Sequence, residues 1–264
     1  MKLFRIRDES GRVVYAAEVD GALRLVEGDP LGVWEVTGRK AVATKVLAPL
    51  DPPAIFAIGR NYRAHAEETD SPVPEHPVVF AKAITSVIAT GDSVVLPAAG
   101  GNCVDYEAEL AVVIGTTCRD VPAADAREVI LGYTVANDVS ARDWQKALGQ
   151  WVRAKSFDTF CPLGPCIQTD LDPFDVRVTS TLNGKVMQDA RTSEMIFPVD
   201  CLLEFLSADL TLRAGTVLLT GTPSGVGVAR TPQVFLRPGD TITCFVEGIG
   251  ELANPVVAAA RTHG

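Results

Sequence analysis

The sequence predicts an α+β, β-rich protein with a small N-terminal β domain over residues 1–50 and a larger mixed β domain over residues 51–264. Three observations lead there. The first fifty residues hold short β-prone runs, "KLFRIR", "RVVYAAEV" and "ALRLVE", parted by the turn signals "DESG" and "DG". Pro49, Pro52 and Pro53 then interrupt the pattern and place a boundary near Asp51. Beyond it strand-like runs outnumber helical ones, and the long β–α alternation of a doubly wound sheet is absent.

Along the larger part, "AIFAIG" has the makeup of a buried strand, and "RNYRAHAEET" of a short helix. "SPVPEHPVV" is excluded from regular structure by Pro72, Pro74 and Pro77. "VVFAKA" and "SVVLPA" are strand-like. "PAADAREVI" predicts a helix opened by Asp120 and Pro122, where a proline's missing N–H costs nothing. "LGYTVAND" predicts a strand and "SARDWQKAL" a helix. "DVRVTSTLNGKVMQD" is a hairpin pattern with Asn183-Gly184 as its two-residue turn. "DCLLEFLSA" predicts an amphipathic helix, and "TVLLTG", "DTITCFVEG" and "GELANPVV" predict strands among Gly and Pro turns.

Composition narrows the function. Of 264 residues, 47% are hydrophobic, enough for a sizeable core, and the net charge of −9 repels nucleic acid and anionic membranes. No apolar run approaches the ~20 residues of a membrane span. "MKLFRIRDESGR" lacks the apolar region of a secretory signal. Six scattered cysteines without a CxxC pair suggest reduced, mostly buried thiols in a cytoplasmic protein.

The stretch "VDYEAELAVVIG" leads an apolar strand with three acids. Residues two apart on a strand share a face, so Glu107 and Glu109 point the same way. Either both end in water, or a cation sits between them. "YTVANDVSARD" brings Asp138 to the end of another apolar strand, which would complete an all-oxygen triad. Hard oxygen donors suit Mg²⁺ or Mn²⁺, and Ca²⁺ by the same chemistry, while the absence of His and Cys argues against zinc.

Three histidines exist. His263 is penultimate, where disorder is expected, and His76 lies in the proline-flanked "PEHPV", where an exposed role is expected. His65 precedes Glu68 by three residues, so on a helical turn the carboxylate can orient the imidazole and raise its basicity. "LLTGTPSGVG" invites a phosphate-loop reading, which fails because no Lys-Ser or Lys-Thr follows the glycines.

Taken in order, "AIGRNYRAHAEE", "YEAELAVVIG", "NDVSARDWQ", "WVRAKSFDTFCPLGP", "LNGKVMQD", "LLTGTPSGVG" and "GDTITCFVEGIGELANPV" resemble the fumarylacetoacetate hydrolase family over about residues 54–257. The resemblance implies a mixed β-roll, usually a homodimer, with the N-terminal β domain of many bacterial members. It implies Glu107, Glu109 and Asp138 as metal ligands and the His65–Glu68 pair, on a lid, as the group that activates water or shuttles a proton. Lys155 would reach the substrate, Arg142 and Gln145 would contact it, and Arg60 and Tyr62 match with less defined roles. Thr222 and neighbouring amides would hold a substrate carboxylate. The extra acidic ligand of the larger animal hydrolase has no equivalent; Asp92 is expected in a turn. The expected activity is hydrolysis of a C–C bond in an acylpyruvate or related 2,4-dioxo acid through a metal-held enolate. Its alternative is an oxaloacetate decarboxylase/tautomerase, or a decarboxylase/isomerase of the 2-hydroxyhepta-2,4-diene-1,7-dioate type. A metal-binding protein without chemistry is a third class, disfavoured by the intact triad beside His65, Glu68 and Lys155.

Overall fold

In the computed structural model, which describes residues 1–99 and 101–260, the chain opens with an antiparallel meander. Its strands are β1 (Lys2–Asp8), β2 (Val13–Val19), β3 (Ala22–Gly28), β4 (Trp34–Lys40) and β5 (Ala43–Val46). His263 lies outside the described residues. There follow β6 (Ile55–Gly59), helix α1 (Arg63–Glu68), β7 (Val78–Lys82), β8 (Val87–Ile88), β9 (Val94–Leu96), β10 (Val104–Asp105), β11 (Ala108–Ile114) and β12 (Ile130–Asn137). Next come β13 (Ser140–Ala141), α2 (Arg142–Ala147), α3 (Val152–Lys155), β14 (Cys161–Gln168), β15 (Arg177–Leu182) and β16 (Lys185–Arg191). The last elements are α4 (Val199–Ser207), β17 (Val217–Leu219), β18 (Thr241–Val246) and β19 (Gly250–Ala258).

Two sheets carry the molecule. The larger has twelve strands in the order β4-β3-β2-β1-β14-β12-β11-β17-β6-β7, with β5 beside β1 and β8 beside β14. The smaller runs β16-β15-β18-β19-β9. The meander is thus hydrogen-bonded into the large sheet through β1, with Leu3 opposite Ile167 of β14. β11 lies near the middle and is buried along its whole length. Its alternation serves two cores. Leu110, Val112 and Ile114 pack toward the small sheet, against Val178, Ile242 and Cys244. Ala111 and Val113 face a second core with Leu3, Ala17, Ile55, Leu163, Ile167, Val217 and Leu219. Almost all of that second core comes from strands of the large sheet, which is rolled upon itself.

Local signals explain the elements. Asn183 and Gly184 have φ of 51° and 80°, the two left-handed residues that the tight turn between β15 and β16 demands. "DCLLEFLSA" forms α4, burying Leu202, Leu203 and Leu206 on one face. The helix expected in "PAADAREVI" is present over Ala123–Val129, but as a 3₁₀ helix. Only seven residues separate Pro122 from the start of β12, and the tighter coil fits that short connector. Cys161, Cys166 and Cys244 are buried and Cys201 is exposed, and none of the six is paired. Among the described residues no helix is long and apolar enough to cross a membrane.

Candidate active site

Period-two geometry sends Glu107 and Glu109 to the face of β11 that carries Ala111 and Val113. In the antiparallel neighbour β12, Ala136 lies opposite Glu109. Asp138, just past the strand end, donates its N–H to the Glu107 carbonyl at 2.9 Å. One oxygen from each of Glu107, Glu109 and Asp138 lies within 4.8 Å of the others. All three side chains are buried, at 4%, 1% and 0% exposure, so water does not solvate this strand end.

Buried charges must find partners. Lys155 Nζ bridges Glu107 Oε2 and Asp138 Oδ2, each at 2.6 Å. Arg142 places one N–H on Glu107 Oε1 at 2.7 Å and another on Asp105 Oδ2 at 2.9 Å. Lys82 reaches Asp138 Oδ1 at 2.6 Å. Arg142 therefore clamps Glu107 and Asp105, with Asp138 held by the two lysines. Four carboxylates face three cations, and one negative charge is left over. It falls on Glu109, whose carboxylate among the described residues receives only the Gly221 N–H, at 2.6 Å. Burial, reinforced by the charges of Asp138 and Glu107, raises the Glu109 carboxyl well above the usual range. Burial also opposes ionisation of Glu107, but Lys155 and Arg142 outweigh it and hold that carboxyl low. An all-oxygen donor set with an uncompensated buried charge fits a hard divalent cation.

Helix α1 supplies the second group. His65 Nδ1 lies 2.8 Å from Glu68 Oε1, which leaves Nε2 as the free nitrogen. The other Glu68 oxygen accepts the Gly225 N–H at 2.8 Å, so the carboxylate is fixed at both ends. The glycine-rich loop accordingly spends its amides on the protein's own acids: Gly221 on Glu109, Gly225 on Glu68, Gly227 and Val228 on Asp105. The amides of Gly221, Gly225, Gly227 and Val228 are thus committed to the protein's own acids. Thr222 itself faces the cleft, but its hydroxyl donates to the Ala108 carbonyl at 3.0 Å and accepts from Gln188.

A cleft of about 600 Å³ opens over these groups. Arg60, His65, Glu107, Glu109, Gln145 and Lys155 are among its lining residues. Arg142 also lines it and donates to Gln145 Oε1 at 2.9 Å. Arg60 has φ of 56°, a left-handed value unusual for a residue with a side chain, and its guanidinium lies 6.0 Å from the Trp151 ring centre. Glu68 and Asp138 do not line the cleft: Glu68 lies against His65, and Asp138 belongs to the acid cluster. Tyr62 does not line the cleft either. It precedes α1, is 1% exposed, and its hydroxyl has no hydrogen-bond partner among the described residues. Burial, with Glu109 nearby, pushes its phenol far above the usual range. Asp92 is a turn residue, bound to the Ala89 N–H and Lys45. His76 is exposed and stacks on Phe205.

Three polar residues escaped the sequence reading. Lys82 belongs to β7, whose alternation already turns Phe80 inward and therefore Lys82 with it. Gln188, on the hairpin, accepts the Ala108 N–H and donates to Thr222 and the Pro223 carbonyl, tying the start of β11 to the glycine loop. The Asn61 side chain, just ahead of α1, makes three hydrogen bonds, to Phe197 and Thr220. A lone amide at long sequence distance from its partners leaves no periodic signal.

A family model described as Fumarylacetoacetate (FAA) hydrolase C-terminal matches residues 54–257. Oxaloacetate tautomerase FAHD2A, mitochondrial, of Bos taurus is 41% identical over 235 residues, covering 83% of this chain and 74% of its own. The crystal structure of 5-carboxymethyl-2-hydroxymuconate delta-isomerase from Mycobacterium smegmatis is 45% identical, with a TM-score of 0.88 over 98% of this chain and 100% of that one. That of 2-hydroxyhepta-2,4-diene-1,7-dioate isomerase from Mycobacterium marinum is 42% identical, with a TM-score of 0.87 over 99% and 100%. With the rolled sheet, the buried acid triad and this likeness over nearly its whole length, the chain belongs to the fumarylacetoacetate hydrolase family.

Proposed function

We propose that this protein is a divalent-metal-dependent enzyme that moves a proton on a small 2-oxo acid, interconverting keto and enol forms or shifting a double bond. The observation that carries this reading is the meeting, in one cleft, of three buried carboxylates with one charge in excess and an oriented His65–Glu68 pair. Glu107, Glu109 and Asp138 would hold the ion. When bound, Mg²⁺ or Mn²⁺ would act as a Lewis acid for negative charge developing on the 2-oxo oxygen. His65 Nε2 takes the proton from carbon 3. The freed C–H electron pair becomes the C2–C3 double bond, and the carbonyl pair moves to oxygen. The imidazolium then returns its proton to that oxygen, giving the enol, or to a more distant carbon, giving the isomer. Glu68 keeps the imidazole in the productive tautomer and steadies its positive form. Arg142 and Lys155 supply positive charge toward the substrate carboxylate. The tautomerase and the two isomerases among the relatives support proton transfer as the outcome.

The fixed Glu68 carboxylate also favours a second reading, hydrolysis of an acylpyruvate, in which His65 deprotonates water for attack on the distal carbonyl. Both readings are separated by rate measurements on oxaloacetate enol and on an acylpyruvate. In Glu68→Gln and His65→Ala, kcat for the physiological reaction should fall about 10²–10⁴-fold, while Mn²⁺ stays bound. Enol–keto conversion that survives in both variants with metal in place removes His65 from the proton path. Loss of acylpyruvate cleavage alone would select hydrolysis.

A further inference from the structure

We propose that Lys82 is a positioning residue of the metal centre: it fixes which oxygen of Asp138 is offered to the ion and where Lys155 stands. This rests on the metal-dependent reading above. Lys82 is the last residue of β7, and its side chain is entirely buried. Its ammonium donates to Asp138 Oδ1 at 2.6 Å and to the backbone carbonyl of Lys155. Three segments distant in sequence, the ends of β7, β12 and α3, are thereby joined at one nitrogen.

The two lysines on Asp138 occupy different sides. Lys155 holds Oδ2, the oxygen that shares its ammonium with Glu107 and so faces the triad. It lines the cleft and lies 5.2 Å from the Phe80 ring centre. Lys82 holds Oδ1, is fully buried and does not line the cleft. A carboxylate gripped at Oδ1 is hindered from turning, so Oδ2 remains on the side of Lys155 and Glu107. Lys82 also anchors the carbonyl that closes α3, which sets the origin from which the Lys155 side chain reaches the cleft. Groups that orient metal ligands from outside are worth about 10–100-fold in metal affinity or activity.

Lys82→Met keeps the volume and removes the ammonium. Titration with Mn²⁺ alone, read by the paramagnetic resonance of the free ion, gives the affinity of the folded protein. The expected result is binding weaker by about 10–100-fold, with kcat reduced more than KM at saturating Mn²⁺. In an Asp138→Asn background the same change should have little further effect on Mn²⁺ affinity, because Lys82 acts through Asp138. Lys82→Gln, which keeps a donor without the charge, serves where Met at this site prevents folding, and should fall between wild type and Met. A purely structural lysine would lower the melting temperature and leave Mn²⁺ affinity unchanged, which overturns the proposal. Tighter binding also overturns it, since Lys82 would then be a competitor of the ion. A wild-type chain that binds no Mn²⁺ removes the metal reading itself and this inference with it. Unchanged affinity in the variant beside a binding wild type removes only the inference.

Discussion

Among the described residues, Glu109 is the acid of the cluster that no cation contacts. Its folded pKa stands above the ordinary glutamate value of about 4.3, for reasons of burial first and neighbouring acids second. An acid shifted in that direction contributes its stability below the unfolded pKa and loses it as pH rises toward the folded one. Metal-free Glu109→Gln should therefore melt higher than wild type at neutral pH, with the gap closing as pH falls through about 4. Divalent metal should reverse the order. A ligand at a hundredfold excess over its Kd adds roughly 2.7 kcal/mol, and the glutamine variant should gain much less. Melting both proteins in EDTA and in Mn²⁺ decides it; a metal-free variant less stable at neutral pH would show that another group neutralises Glu109. The acids themselves were legible because strand alternation is local and strict: two glutamates at spacing two share a face whatever surrounds them. That they are dry, and that Glu109 is the uncompensated one, was not legible. Both depend on Arg142, Lys155 and Gly221, which lie 33 or more residues further along the chain.

At the scale of elements, the glycine-rich segment after β17 is a holder for side-chain acids. Its amides cap Glu109, Glu68 and Asp105, three residues from three different segments. Gly227 is where the loop passes closest to its surroundings: a Cβ there would lie 1.8 Å from the Val234 carbonyl oxygen and 2.6 Å from Asp105 Oδ1. Gly227→Ala must push the loop off Asp105, which in turn releases one hold on Arg142. Overpacking of this kind costs about 1–3 kcal/mol. Denaturant unfolding should show that loss, and activity should fall beyond it because Arg142 lines the cleft. Full activity with wild-type stability would mean that the loop moves without consequence. The glycines announced a turn, and the absence of a following Lys-Ser or Lys-Thr ruled out phosphate, but the loop's true ligands were invisible, being 112 to 157 residues away. The Asn183-Gly184 hairpin was fully legible for the opposite reason, since both strands and their turn lie within one short stretch. In Ala123–Val129 the helical signal was real and only its pitch was missed, because pitch there is set by the chain having to reach β12.

Across the whole molecule, the first fifty residues have two descriptions. Pro49, Pro52 and Pro53 mark a boundary in the sequence. Hydrogen bonding and packing run straight across it: β1 pairs with β14, Arg5 forms an ion pair with Asp51, and Leu3, Ala17 and Val26 share a core with Leu163, Ile167 and Ala57. No periodicity within the N-terminal strands could reveal this, because pairing between Leu3 and Ile167 is a fact about register over more than 160 residues. None of the candidate site residues lies in residues 1–50, so deleting that segment tests packing without touching the chemistry. The chain 51–264 would open the edge of β14 at Ile167 and Gln168 and uncover Leu163 and Ile167, which are 0% and 1% exposed in the 264-residue chain. Each large aliphatic side chain returned to water costs about 1.5–3 kcal/mol, and a folded domain holds only about 5–15 kcal/mol in total. Several such losses exhaust that margin. The shortened chain should aggregate or melt without a cooperative transition, and the 264-residue chain should unfold in one step, with tryptophan fluorescence, which includes Trp34 of β4, coinciding with far-ultraviolet circular dichroism. A soluble 51–264 chain that binds Mn²⁺ and melts cooperatively would establish the opposite, that the N-terminal strands are an appended domain resting on a roll that is complete without them.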